Sequence, residues 1–153
     1  MNDITSYMLE QTKKILSIDS PTGFTAHAAE YVLGAYKKLG YDAKLTNKGG
    51  IFVCVNDGPD QADDPADAPI LLEAHMDTLG GMVCSINEKG RLMLSALGGM
   101  NPNNAEAENC RVYTRSGKVY SGTFQLKNAS IHVNGSYNDT ARSYDAMEGV
   151  LDE

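Results

Sequence analysis

The sequence predicts an α/β beginning followed, from about Gly80, by a module of short β-strands. Three observations carry this reading. Two stretches in the first forty residues repeat their apolar side chains at helical spacing. An apolar run, Ile70-Leu71-Leu72, climbs into Glu73-Ala74-His75-Met76-Asp77 with the length of a buried strand. Beyond Gly80 the helical period disappears, and short β-rich runs alternate with glycine turns.

Residues 3–18 read as the first helix, with Ile4, Tyr7, Met8, Ile15 and Leu16 on one face. It ends before Asp19-Ser20-Pro21-Thr22-Gly23, a cluster of turn formers. Thr25 stands where a cap for a second helix is wanted. The apolar face of that helix includes Ala28, Ala29, Val32, Leu33, Tyr36 and Leu39, and Gly40 follows as a terminating residue. Two short strands, 43–46 and 51–55, flank Asn47-Lys48-Gly49-Gly50, which is hairpin chemistry. Residues 56–69 carry five aspartates and three prolines without a basic residue. Their spacing does not match a calcium loop, and a solvated excursion is expected. The β runs that follow are 82–87, 91–97, 111–114, 118–126 and 131–133, and their regular glycine turns suggest a small barrel or sandwich. The stretch 147–153 reads as a strand under way with no closing turn. An α/β half with about three strands is small for an independent domain. Both features lead to the expectation that the chain stops inside a larger fold.

Composition narrows the function classes. The net charge is −7 with no basic stripe, which argues against a nucleic-acid partner. No apolar segment approaches membrane-spanning length, and no basic region precedes an apolar run at the N-terminus. Cys54, Cys84 and Cys110 are odd in number and lack any Cys-x-x-Cys spacing, so reduced, mostly buried thiols in a cytoplasmic protein are expected.

The chemistry concentrates at His75 and Asp77. Alternation along a strand puts the two on one side, at the carboxyl edge where open α/β sheets keep their sites. A neutral imidazole there can hold a metal while the neighbouring carboxylate fixes its tautomer. The pattern by itself is weak, and most such histidines are ordinary rim residues. Glu73 shares the same side but reads more readily as a strand carboxylate paired with a cation. His27 and His132 read as surface residues. Met82, Tyr113, Tyr120 and Phe124 read as packing residues of the β module.

The order of several short motifs goes further. Ser20-Pro21-Thr22-Gly23, Leu72-Glu73-Ala74-His75-Met76-Asp77, Gly81-Met82-Val83, Gly90-Arg91-Leu92 and Leu97-Gly98-Gly99 follow one another. Then come Val112-Tyr113-Thr114, Gly117-Lys118-Val119, Ser121-Gly122 and Glu148-Gly149-Val150-Leu151-Asp152-Glu153. Together they resemble metallopeptidase family 42, the glutamyl or deblocking aminopeptidases, some of which carry an older cellulase label. The resemblance runs across essentially the whole chain.

The resemblance implies an α/β catalytic domain of the phosphorylase/hydrolase-like, zinc-peptidase type, interrupted by an all-β barrel-like dimerisation domain. Residues 1–79 would be the N-terminal part of the first, and residues 80–153 a truncated form of the second. It implies a centre of two divalent metal ions, zinc or cobalt, with His75 as a ligand to one and Asp77 supporting that ligand and the catalytic geometry. It also implies peptide substrates and a homo-oligomer, dimer or higher. The family's remaining ligands and its general-base glutamate come after the inserted domain. The expectation is therefore an incomplete enzyme with at most one partial metal site, inactive alone. Two other readings stay open: a non-catalytic self-association module, and a fragment of a related metal-dependent carboxypeptidase or deacylase.

Overall fold

The computed structural model describes residues 3–55 and 70–153. It divides into two compact units, Met1–Thr78 and Leu79–Glu153.

In the first unit, helix α1 spans Asp3–Leu16 and α2 spans Ala26–Lys38. Asp3 in the first turn of α1 and Lys13 and Lys14 in its last turn complement the helix dipole. Lys14 also pairs with Glu10 one turn back. The Tyr31 hydroxyl of α2 donates to Gln11 Oε1 of α1 at 2.7 Å. Thr25 holds the N-cap position, but its φ of −94° and ψ of 1° lie outside the extended region from which a cap side chain reaches, and its hydroxyl makes no cap bond. Gly40 terminates α2 as expected, with φ +91°. Strands β1 (Lys44–Leu45) and β2 (Ile51–Phe52) form a small antiparallel hairpin.

The run through Ile70-Leu71-Leu72 departs from expectation. It joins no sheet among the described residues; its one ladder contact is a parallel bridge between Thr78 and Pro21. Ile70 is 87% and Leu72 90% exposed. A buried parallel strand needs a neighbour along its edge and cover on its faces, and neither is present among the described residues. The expected solvated loop at 56–69 lies outside the described residues.

In the second unit, β3 (Gly80–Ile86), β4 (Leu92–Leu97), β5 (Asn109–Tyr113), β6 (Val119–Leu126) and β7 (Met147–Leu151) form one antiparallel sheet. The spatial order is β3-β4-β7-β6-β5. The strand latest in sequence lies at the centre and splices two hairpins together. It is accordingly the most buried, with Met147 fully inaccessible. Rather than a closed barrel or sandwich, the sheet is a curled half-barrel edged by β3 and β5. Its core gathers Ala105, Phe124, Leu126 and Met147, flanked by Leu94, Met100 and Tyr144.

Other expectations are corrected here. Residues 131–133 form turns rather than a strand, because Val133 and Asn134 donate to the Ser130 carbonyl and the Asn134 side chain donates to the Asn128 carbonyl. Such local bonds compete with a ladder. Phe124 packs in the core, but Met82 is 55% exposed on edge strand β3 and Tyr113 40% exposed on edge strand β5, since edges lack a covering layer. Cys54 and Cys84 are exposed rather than buried, and Cys110 is half-buried.

Candidate metal-binding site around His75

The His-x-Asp pair forms a compact arrangement at the end of the first unit. His75 Nδ1 lies 3.1 Å from Asp77 Oδ1 and 3.0 Å from the Asp77 backbone oxygen. A carboxylate and a carbonyl can only accept, so Nδ1 must carry the proton. In the neutral imidazole the lone pair then sits on Nε2, the atom left free to bind a metal. The His75 side chain is 86% exposed.

The second oxygen of Asp77, Oδ2, accepts a 2.7 Å hydrogen bond from the Thr22 hydroxyl. That bond is the main reason the Asp77 carboxyl is held below its ordinary value; desolvation opposes it, and the bond from His75 adds to the lowering. Asp77 therefore stands between Thr22 and His75 as an ionised acceptor.

This donor set fits one ligand position of a zinc or cobalt site: a neutral imidazole with its far nitrogen bonded to a carboxylate. It does not make a whole site. Among the described residues no three histidine, cysteine, aspartate or glutamate side chains converge. Glu73, beside the pair in sequence, is exposed, and so are His27 and His132. His27 instead meets Phe24 edge to face at 5.7 Å between ring centres. Thr22 received no role from sequence reasoning. Its cues in the sequence are its place in a turn cluster and in the Ser20-Pro21-Thr22-Gly23 motif, and neither points to a partner 55 positions away.

Comparison with known proteins bears on this arrangement. The family model for M42 glutamyl aminopeptidase matches residues 50–153, which include both members of the pair. The chain belongs to the M42 glutamyl aminopeptidase family. A Bacillus subtilis (strain 168) relative named "Putative aminopeptidase YhfE" is 35% identical over 145 residues, covering 95% of this chain and 40% of that protein. The glutamyl aminopeptidase of Lactococcus lactis subsp. cremoris is 32% identical over 112 residues, covering 72% of this chain and 30% of the relative. The chain thus spans well under half the length of these M42 relatives.

Solved structures share the fold. The TET aminopeptidase of the marine sediment archaeon Thaumarchaeota archaeon SCGC AB-539-E09 superposes with a TM-score of 0.78 at 18% identity, over 98% of this chain and 39% of its own. The TET1 peptidase of Pyrococcus horikoshii, which can assemble into a tetrahedron or a large octahedral shell, gives 0.74 at 22% identity, over 95% of this chain and 40% of its own. No helix among the described residues is long and apolar enough to cross a membrane.

Proposed function

We propose that this chain contributes one ligand position to a two-metal aminopeptidase that removes N-terminal residues from peptides in the cytoplasm. His75 would hold one divalent ion, zinc or cobalt, through Nε2, and Asp77 would fix the ring. The ions would supply Lewis acidity toward a peptide carbonyl. Family membership supports the reaction class. The single observation that carries the site is the His75–Asp77 geometry, which leaves Nε2 as the lone-pair nitrogen. No group of three candidate ligands converges among the described residues, so the further ligands and the general base are assigned to protein outside them, and the chain alone is proposed to be inactive.

Residues 1–79 are proposed as part of the catalytic domain and residues 80–153 as the self-association domain. Met82 and Ile86, 55% and 65% exposed on edge strand β3, support the second assignment. The same observation favours a second reading, a module that only self-associates. Family membership weighs against the carboxypeptidase and deacylase reading.

The test uses the protein purified from its source, whatever its full length, with zinc or cobalt supplied and an aminoacyl chromogenic peptide as substrate. His75→Ala abolishes hydrolysis and lowers metal content. Asp77→Asn reduces activity about 10–100-fold, the usual cost of losing a carboxylate that supports a ligating histidine, with little unfolding. Full activity in His75→Ala would sink the metal assignment. A self-associating source protein with no peptidase activity under any metal would favour the second reading.

A further inference from the structure

The geometry points to Thr22 as a positioning residue for the His75–Asp77 pair, acting as a latch on the carboxylate; the inference rests on the proposed metal role of His75. Thr22 is delivered to Asp77 from across the unit by backbone bonds. Thr78 N donates to the Ser20 carbonyl at 2.7 Å, and Thr22 N donates to the Thr78 carbonyl at 3.3 Å. These two bonds straddle the parallel bridge between Pro21 and Thr78. Phe24 N closes the turn onto the Pro21 carbonyl at 2.7 Å, and Gly23 between them takes φ +86°, which a side chain would resist. Ser20, at the start of the turn, is 1% exposed, so the turn is anchored in the packed part of the unit.

Among the described residues, the acceptor for a hydroxyl held from both sides in this way is the Asp77 carboxylate. Its bond to Asp77 Oδ2 fixes rotation of a carboxylate that otherwise turns freely about its last torsion. With Oδ2 latched, Oδ1 stays within reach of His75 Nδ1. The proton on Nδ1 then has two acceptors, Oδ1 and the Asp77 carbonyl, and the lone pair stays on Nε2. Without the latch the carbonyl remains, but the charged acceptor is free to swing away. Thr22 touches neither metal nor substrate in this scheme. It sets the ring nitrogen that faces them.

The test reads the ring itself. Nitrogen-15 NMR of His75 in the protein, above the imidazole titration range, reports which nitrogen bears the proton. In wild type the Nδ1–H form dominates. In Thr22→Val, equal in shape but without the hydroxyl, the ratio of Nδ1–H to Nε2–H falls roughly two- to tenfold, the factor carried by one hydrogen bond of ordinary net strength. Thr22→Ser restores the wild-type ratio. Should Thr22→Val fail to fold, Thr22→Ala carries the same expectation. An unchanged ratio in the hydroxyl-less variant, or a Thr22→Ser variant that behaves like it, overturns the latch. A zinc titration of wild type and His75→Ala separates this from the reading beneath it. Zinc uptake indifferent to His75 sinks the metal role while the tautomer result stands. Uptake that depends on His75 with an unmoved tautomer ratio sinks Thr22 alone.

Discussion

Arg142 spends its donors on one small region. Nε reaches Glu106 Oε2 at 2.7 Å and Nη2 reaches Oε1 at 3.2 Å, while Nη1 donates to the Tyr137 and Thr140 carbonyls at 2.9 and 2.8 Å. The guanidinium also stacks over the Tyr137 ring, whose hydroxyl donates to Glu106. One planar fork therefore pins an irregular stretch of chain to Glu106, which a lysine could not copy. The Arg142 bond is the main reason the Glu106 carboxyl is held below its ordinary 4.5, with partial desolvation opposing it. A lowered folded value adds stability that is fully present above the unfolded value and is lost as pH falls through the folded one. Denaturant titrations should thus show stability declining below pH 4.5, with a shallower decline and lower stability at pH 7 in Glu106→Gln. Parallel acid limbs would remove this pair from the account. The cluster was not legible in sequence, because three polar residues spread over 106–142 carry no period. The His75–Asp77 pair was legible because its members are two residues apart. Thr22 was not, because only the fold brings it there.

Three hairpins repeat one turn chemistry, and here the sequence was most informative. Gly90 N donates to the Asn87 carbonyl at 2.9 Å, Gly117 N to Thr114 at 3.0 Å and Gly49 N to Thr46 at 3.0 Å. Each closing residue also donates to the carbonyl four positions on. The glycine three residues after the closing residue marks all three. The strands these turns join were found within a few residues. The central place of β7 was not found, because periodicity tells which residues share a face but not which strand is a neighbour. The run ending at Asp77 was misread for the same reason: a strand is defined by a partner that sequence period does not reveal. Gly122 tests the β6–β7 register. A Cβ there would sit 2.5 Å from the Val150 carbonyl oxygen, backbone that cannot step aside without parting the strands. Gly122→Ala should cost about 1–3 kcal/mol in urea denaturation, as overpacking usually does. Gly99→Ala, with open space around its Cβ, should stay within about 0.5 kcal/mol of wild type, as surface changes do. Equal stabilities would contradict the close approach of the two strands.

Stability is distributed unevenly over the molecule. The buried apolar side chains of the second unit are Leu92, Ala105, Phe124, Leu126 and Met147, among the described residues. Those of the first are the small Ala28, Ala29 and Ala43. Helix α1 buries none of its residues, and Ile4, Met8 and Leu16 on its apolar face are 73%, 62% and 72% exposed. A helix of 14 residues without tertiary cover is marginal in water, since one amphipathic face must normally be buried to hold it. A hydrogen bond from Tyr31 to Gln11 ties its side chains to α2. Local opening should therefore cost almost nothing at α1 and approach the global unfolding free energy at β6 and β7. Amide hydrogen exchange on the 153-residue chain would display this directly. Amides of α1 should exchange within about tenfold of unfolded-chain rates, and those facing each other across β6 and β7 should be the slowest in the molecule. Protection in α1 equal to that in β6 would mean its apolar face is covered in solution, by another copy of the chain or by a refolded arrangement. The same experiment repeated across protein concentration separates these two, because only cover by a second copy fades on dilution.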